Sequence, residues 1–148
     1  MRYWLTPLSL FTFALLLAPA ASAQANVANK TVKDAAQAGR IARGQYIVED
    51  LVQCTRCHTP VDDNGQPDRG QWLMGGPIQT RPTYNSPSWA LRAPRIAGRP
   101  PGTDADFIRL MTTGIARDGE PPDPPMLQFK MTRDDAEAVL AYLKSLAH

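Results

Sequence analysis

The sequence predicts an all-α fold, a small set of helices joined by long proline-rich loops. Three observations lead there. Apolar residues recur at helical spacing in the stretches 34–51 and 133–146, and a third stretch, 103–114, carries helix start and stop signals at both ends. Residues 59–101 hold eight prolines and five glycines and follow no period. No segment alternates apolar and polar residues as a half-buried strand does.

The chain opens on what reads as a secretory signal peptide over 1–23. Arg2 supplies the positive start, Leu5 to Ala18 is mostly apolar with the cluster Leu15-Leu16-Leu17, and Ala21-Ser22-Ala23 offers the small residues that signal peptidase accepts. The expected location is therefore periplasmic, or membrane-tethered if the leader stays on. No later stretch is apolar and long enough to suggest a bilayer span. Residues 24–33, polar and alanine-rich, are expected to be a flexible leader, and 34–148 a single domain.

In the first helix Gly44, Ile47, Val48 and Leu51 fall on one face, and Thr31 with Asp34 offers a cap. Gly39 and Gly44 inside it each cost about 1 kcal/mol against alanine, which points to close approach of another backbone. Asp63-Asn64-Gly65 marks a turn in the loop that follows. Thr103 and Asp106 then form a capping-box-like start, Phe107, Leu110 and Met111 an apolar face, and Gly114 a stop. Pro121, Pro122, Pro124 and Pro125 impose a stiff extended strap. Thr132 caps the last helix, whose stripe is Ala136, Val139, Leu140, Leu143 and Leu146.

The 148 residues carry 16 Lys and Arg against 14 Asp and Glu, a formal charge of +2 that drops by one when Arg2 leaves. That balance gives no reason to expect nucleic acid as a partner.

The two cysteines decide the chemistry. Cys54-Thr55-Arg56-Cys57-His58 is the C-x-x-C-H pattern of c-type haem attachment. Thiols three positions apart reach two vinyl groups along one porphyrin edge, and the adjacent imidazole meets the iron. A thioredoxin-like C-x-x-C wants a βαβ neighbourhood, which is absent here. A structural zinc needs four ligands, and besides these three only the distant His148 remains. One covalent haem also explains the long irregular loop, because such segments can bury against a large apolar ring instead of pairing with each other.

The sixth ligand is sought among the methionines. Met1 leaves with the leader, Met74 follows His58 too closely, and Met111 belongs to a helical face. Met126, at the end of the proline strap, is favoured over Met131, which directly precedes the cap Thr132 and suits a hydrophobic staple. A His58/Met126 pair would fill both axial positions and raise the potential relative to stronger donors.

With these residues in place the sequence resembles class I c-type cytochromes, most closely the single-haem domains and small carriers associated with periplasmic dehydrogenases and respiratory chains. The shared features are Gly44-x-Tyr46, Cys54 to His58, Gly75-Gly76-Pro77, Arg117-Asp118-Gly119 through Pro125-Met126, and Ala141-Tyr142-Leu143. The resemblance implies an orthogonal helix bundle wrapped around one haem, with first and last helices crossing near Gly44 and Tyr142 or Leu143. It implies that Pro77 accepts the proximal imidazole's hydrogen bond, with 59–74 inserted on that side, and that Arg81, Arg95, Trp89 and Tyr84 supply donors to the propionates. The function it implies is electron transfer, without catalysis, between a redox donor and acceptor such as a periplasmic dehydrogenase or terminal oxidase. Two alternatives stand: a relay subunit of a larger dehydrogenase or oxidase complex, and a peroxidase or gas sensor with an open sixth position.

Overall fold

The computed structural model describes residues 19–146, so most of the expected signal peptide, Met1 and His148 lie outside it. The fold is all-α, with four α-helices among the described residues, α1 (Pro19–Tyr46), α2 (Thr55–His58), α3 (Asp104–Thr113) and α4 (Arg133–Ser145), and two short strands, β1 (Gly76–Pro77) and β2 (Arg92–Ala93). Contacts divide the chain into two units, residues up to Ala35 and residues from Ala36 onward.

The first unit corrects one expectation. Residues 24–33 are helical where a flexible leader was expected, because α1 begins upstream of Asp34. Ala20, Ala21, Ala23, Ala25 and Ala28 supply the strongest helix former, which outweighs the lack of an apolar face. Thr31 caps nothing here. Its hydroxyl donates back to the Val27 carbonyl at 3.0 Å, one turn earlier. Val27 and Val32 are exposed.

In the second unit α1 and α4 meet at Gly44. A Cβ built on Gly44 would stand 2.0 Å from the Ala138 carbonyl oxygen and 2.8 Å from the Tyr142 Cβ. No other residue fits there, so the glycine's cost in helix propensity is offset by backbone-to-backbone approach. Gly39 has open space around its Cβ position and carries no such role. Two ion pairs lie beside the crossing, Arg40 with Glu137 and Arg43 with Asp135, both at 2.9 Å. The Arg43 guanidinium is the main reason the Asp135 carboxyl sits below its ordinary range.

After Tyr46 the helix widens into a π-helical turn, Ile47–Leu51. Ile47 and Val48 are buried as the periodicity predicts, but Leu51 is 59% exposed. The wider turn closes i to i+5 hydrogen bonds, so a position three or four residues on no longer returns to the same face. The Val52 N–H reaches the Ile47 carbonyl at 2.8 Å in this way.

α3 and α4 follow their sequence signals. Thr103 and Asp106 form a reciprocal capping box, and Gly114 ends α3 in the left-handed region at φ 73. The Thr132 hydroxyl accepts from the Asp135 N–H. Phe107 and Met111 from α3 pack with Ala136, Val139, Leu140, Tyr142 and Leu143 from α4, joined by Ile47, Val48, Leu73, Ile96 and Ala97. Leu73 and Ala97 are fully buried although they come from the loop, so the loop itself completes the core.

The loop pairs sparingly with itself, which was not expected. An isolated bridge joins Val61 and Pro67, and β1 pairs antiparallel with β2 through Gly76 opposite Ala93 and Pro77 opposite Arg92. The expected turn is present: Asp62 Oδ1 accepts from the Asn64 and Gln66 N–H groups, and Gly65 takes φ 75.

Candidate functional site

The site begins with one helical turn. α2 is four residues long, and the His58 N–H donates to the Cys54 carbonyl at 2.9 Å. Cys54 and Cys57 therefore stand on one turn with His58 directly after. Both thiols are free and half-buried. Burial pushes the Cys54 thiol up to about 11, so it stays protonated at neutral pH. Redox-active C-x-x-C pairs need a lowered pKa to form the attacking thiolate, and this microenvironment works in the opposite direction.

His58 is buried, and burial holds its pKa below the usual imidazole value. Its Nδ1 lies 2.8 Å from the Pro94 carbonyl oxygen, which assigns the ring proton to Nδ1. Nε2 is left as the lone-pair nitrogen. It has no hydrogen-bond partner among the described residues, yet no buried polar atom is orphaned there, so it reaches open space. A neutral imidazole with one nitrogen held and the other free is the arrangement metal-ligating histidines adopt.

The acceptor is Pro94, and the expectation of Pro77 is corrected. The β1–β2 ladder explains the change. Pro77 pairs with Arg92, and the chain then continues through Ala93 to bring the next carbonyl over the imidazole. Gly75 seats that segment. At φ +76, its Cβ would come within 2.6 Å of the Pro94 carbonyl carbon and the Arg95 nitrogen, while its N–H donates to the His58 carbonyl at 2.7 Å. Thr59, also buried, accepts from the Leu73 N–H at 3.0 Å and closes the same corner.

A second polar cluster joins three separate segments. Glu49, in the π-helical turn, accepts from Trp72 Nε1 at 3.1 Å and makes a short hydrogen bond from the Tyr142 hydroxyl. Burial, with the Glu49 bond as a further cause, raises the Tyr142 pKa to about 12. The Arg69 guanidinium stacks over the Trp72 ring, 4.0 Å from its centroid. Neither Pro94 nor this cluster was visible in the sequence.

The methionines separate by environment. Met111 is core. Met131 is half-buried, and its N–H donates to the Met111 carbonyl at 2.9 Å, which ties its backbone to α3. Met126 is half-buried on the proline strap, with its N–H on the Asp123 carbonyl at 3.2 Å. Met74 is half-buried in the loop. Of the expected propionate donors, Trp89 Nε1 donates to the Thr80 carbonyl at 3.2 Å and Arg95 Nε to the Ala97 carbonyl at 2.8 Å. Tyr84 is exposed. Arg81 is also exposed.

A family model named cytochrome c matches residues 41–147, which is most of the chain. The chain belongs to the cytochrome c family. It is 30% identical over 108 residues to a diheme cytochrome c-type protein of Cereibacter sphaeroides, covering 69% of this chain and 34% of that protein. It is 29% identical over 115 residues to a fructose dehydrogenase cytochrome subunit of Gluconobacter japonicus, covering 70% of this chain and 21% of that protein. The chain thus spans about a third and about a fifth of the lengths of these two relatives.

Family membership makes this an electron-transfer protein that carries covalently bound haem c. The donor set fits that group. Two unbridged thiols at the required spacing and an imidazole with its free nitrogen exposed are what attachment and ligation need, and they stand together on one turn. A hollow of about 620 Å³ is lined by Arg99, Asp104, Phe107, Leu140 and Lys144 among others, and no C-x-x-C-H residue faces it. Among the described residues no group of three or more His, Cys, Asp or Glu side chains could hold a metal ion, and no helix is long and apolar enough to cross a membrane.

Proposed function

We propose that this chain carries single electrons through one haem bound at Cys54 and Cys57, with His58 and Met126 as axial ligands, in the periplasm. The observation that carries the reading is the His58 ring, held by Pro94 through Nδ1 and free at Nε2 beside two free thiols. The single C-x-x-C-H in the sequence supports one haem. The apolar start ending in Ala21-Ser22-Ala23 supports export.

Bound haem supplies one-electron chemistry at iron. The chain's part is to fix that iron's surroundings. Pro94 fixes the proximal ring and strengthens it as a donor, since a hydrogen bond from Nδ1–H leaves more charge on Nε2. Met126 would hold the iron opposite His58, which would favour the reduced state and keep oxygen and peroxide from that position. Met131 is less suited to the iron because its backbone is bound to α3.

The fructose dehydrogenase subunit among the relatives favours a second reading, in which this cytochrome relays electrons from a dehydrogenase within a complex. Co-purification with a catalytic partner separates that from a free carrier.

The test uses the exported holoprotein. A pyridine haemochrome spectrum is expected to give one haem per chain with both thioether links. Met126→Ala should abolish the weak far-red methionine–ferric band, while Met131→Ala should keep it. A band that survives the first change and disappears with the second would assign the ligand to Met131. A high-spin ferric spectrum in the unaltered protein would favour the open-site peroxidase or sensor.

A further inference from the structure

Residues 90–94 touch the site from both directions. At one end the Ala90 N–H donates to the Pro124 carbonyl at 2.7 Å, on the strap that carries Met126. At the other end the Pro94 carbonyl holds His58 Nδ1 at 2.8 Å. Between them the stretch is anchored: the Leu91 carbonyl accepts from the Ile78 N–H at 3.0 Å, and β2 pairs with β1.

The strap has few ways to attach itself. Pro121, Pro122, Pro124 and Pro125 have no N–H to donate. The Met126 N–H is spent locally on Asp123. Among the described residues, no hydrogen bond other than Ala90 to Pro124 joins 121–126 to a distant part of the chain. A stiff segment moves as a unit, so one bond near its end fixes more than the residue it touches.

We infer that Ala90 is a positioning residue for the sixth ligand, its backbone N–H holding the strap so that Met126 stays at the iron. The inference rests on Met126 being that ligand. Residues 90–94 then form a tie with one end on the distal strap and the other on the proximal imidazole. Removing the Ala90 N–H frees the distal end and leaves the Pro94 end in place, so the sixth position becomes easier for an exogenous ligand to enter.

Cyanide binding to the ferric holoprotein tests this. Ala90→Pro, which lacks the N–H, is expected to bind cyanide about fivefold more tightly, the scale of one net hydrogen bond, and to weaken the far-red band. Ala90→Gly, which keeps the N–H, should bind like the unaltered protein. An Ala90→Pro protein with unchanged cyanide affinity and an intact band overturns the inference. Met126→Ala is measured in the same series. If it leaves cyanide affinity unchanged, the ligand assignment itself has failed, and the inference with it. Amide exchange on the unaltered protein covers the case in which Ala90→Pro does not fold. The Ala90 amide should exchange about fivefold faster with cyanide bound than without, again one hydrogen bond's worth, while Leu140 in α4 stays constant. Equal Ala90 rates in the two states overturn the inference.

Discussion

The helical frame and the 59–101 loop keep their residues in place by different means. In the frame, α3, α4 and the π-helical turn press apolar side chains together, and one glycine of α1 lets two backbones touch. Many small contacts share the load, so none of them concerns the iron in particular. In the loop, a handful of backbone hydrogen bonds aim specific groups: Gly75 to His58, His58 to Pro94, Ala90 to Pro124. A change in the frame should therefore be felt as lost stability, and a change at these loop hydrogen bonds as altered chemistry at a protein that still folds.

The largest effect is expected at Gly44. Gly44→Ala puts a methyl into the Ala138 carbonyl and Tyr142, and should cost about 3 kcal/mol in denaturant unfolding, at the high end for overpacking. The haem spectrum of the folded fraction should not change. If the spectrum moved, the frame and the site would not be separable as described.

Gly75→Ala is the matching change in the loop. It forces a side chain into φ +76 against the Pro94 and Arg95 backbone and should cost about 2 kcal/mol. Its signature is a higher reduction potential or a shifted His58 Nδ1–H resonance, because the Pro94 carbonyl must move and the imidazole becomes a weaker donor. A stability loss with neither would place Gly75 with the frame.

Tyr142→Phe should cost about 1 kcal/mol at neutral pH, a typical single hydrogen bond. Its clearer mark is in alkali. The Tyr142 pKa is raised from 10.0 to about 12 in the folded protein, so the neutral hydroxyl contributes stability that is fully present below pH 10 and is lost as pH rises through 12. The unaltered protein should lose stability across that window, and Tyr142→Phe should show a shallower slope. Identical slopes in thermal melts between pH 9 and 12 would mean that the tyrosine does not titrate there.

The frame was legible in the sequence because its signals are local. Thr103 with Asp106, Gly114, and Thr132 with Asp135 mark helix ends by hydrogen bonds within one turn, and Val139, Leu140 and Leu143 share a stripe set by the helical period. The three residues of the motif were legible because they are adjacent in the chain. The Pro94 acceptor was not, because any residue offers a carbonyl and only the β1–β2 register decides which one reaches the imidazole. Leu51 was misplaced because a π-helical turn leaves no mark in apolar spacing. Residues 24–33 were read as loose because periodicity was weighed above alanine content. Glu49, Trp72 and Tyr142 come from three separate segments, and nothing in their spacing announces that they meet.

The π-helical turn has a consequence for how sequences of this kind can change. It lies between the Gly44 crossing and Cys54, so its winding sets the direction in which the attachment motif leaves α1. One residue of regular α-helix is a rotation of roughly 100°. A π-helical turn holds one residue more than an α-helical turn, so Ile47–Leu51 can lose one residue by returning to i to i+4 bonding and still aim the motif, whereas losing one from the regular helix between Gly44 and Tyr46 would swing both thiols and the imidazole by about that angle, away from Pro94. The side chains of this five-residue stretch, Ile47 and Val48 in the core and Glu49 against Trp72 and Tyr142, are therefore held more tightly than its length, and the excursion between Val61 and Pro67, pinned at its two ends, can likewise grow or shrink without turning the motif.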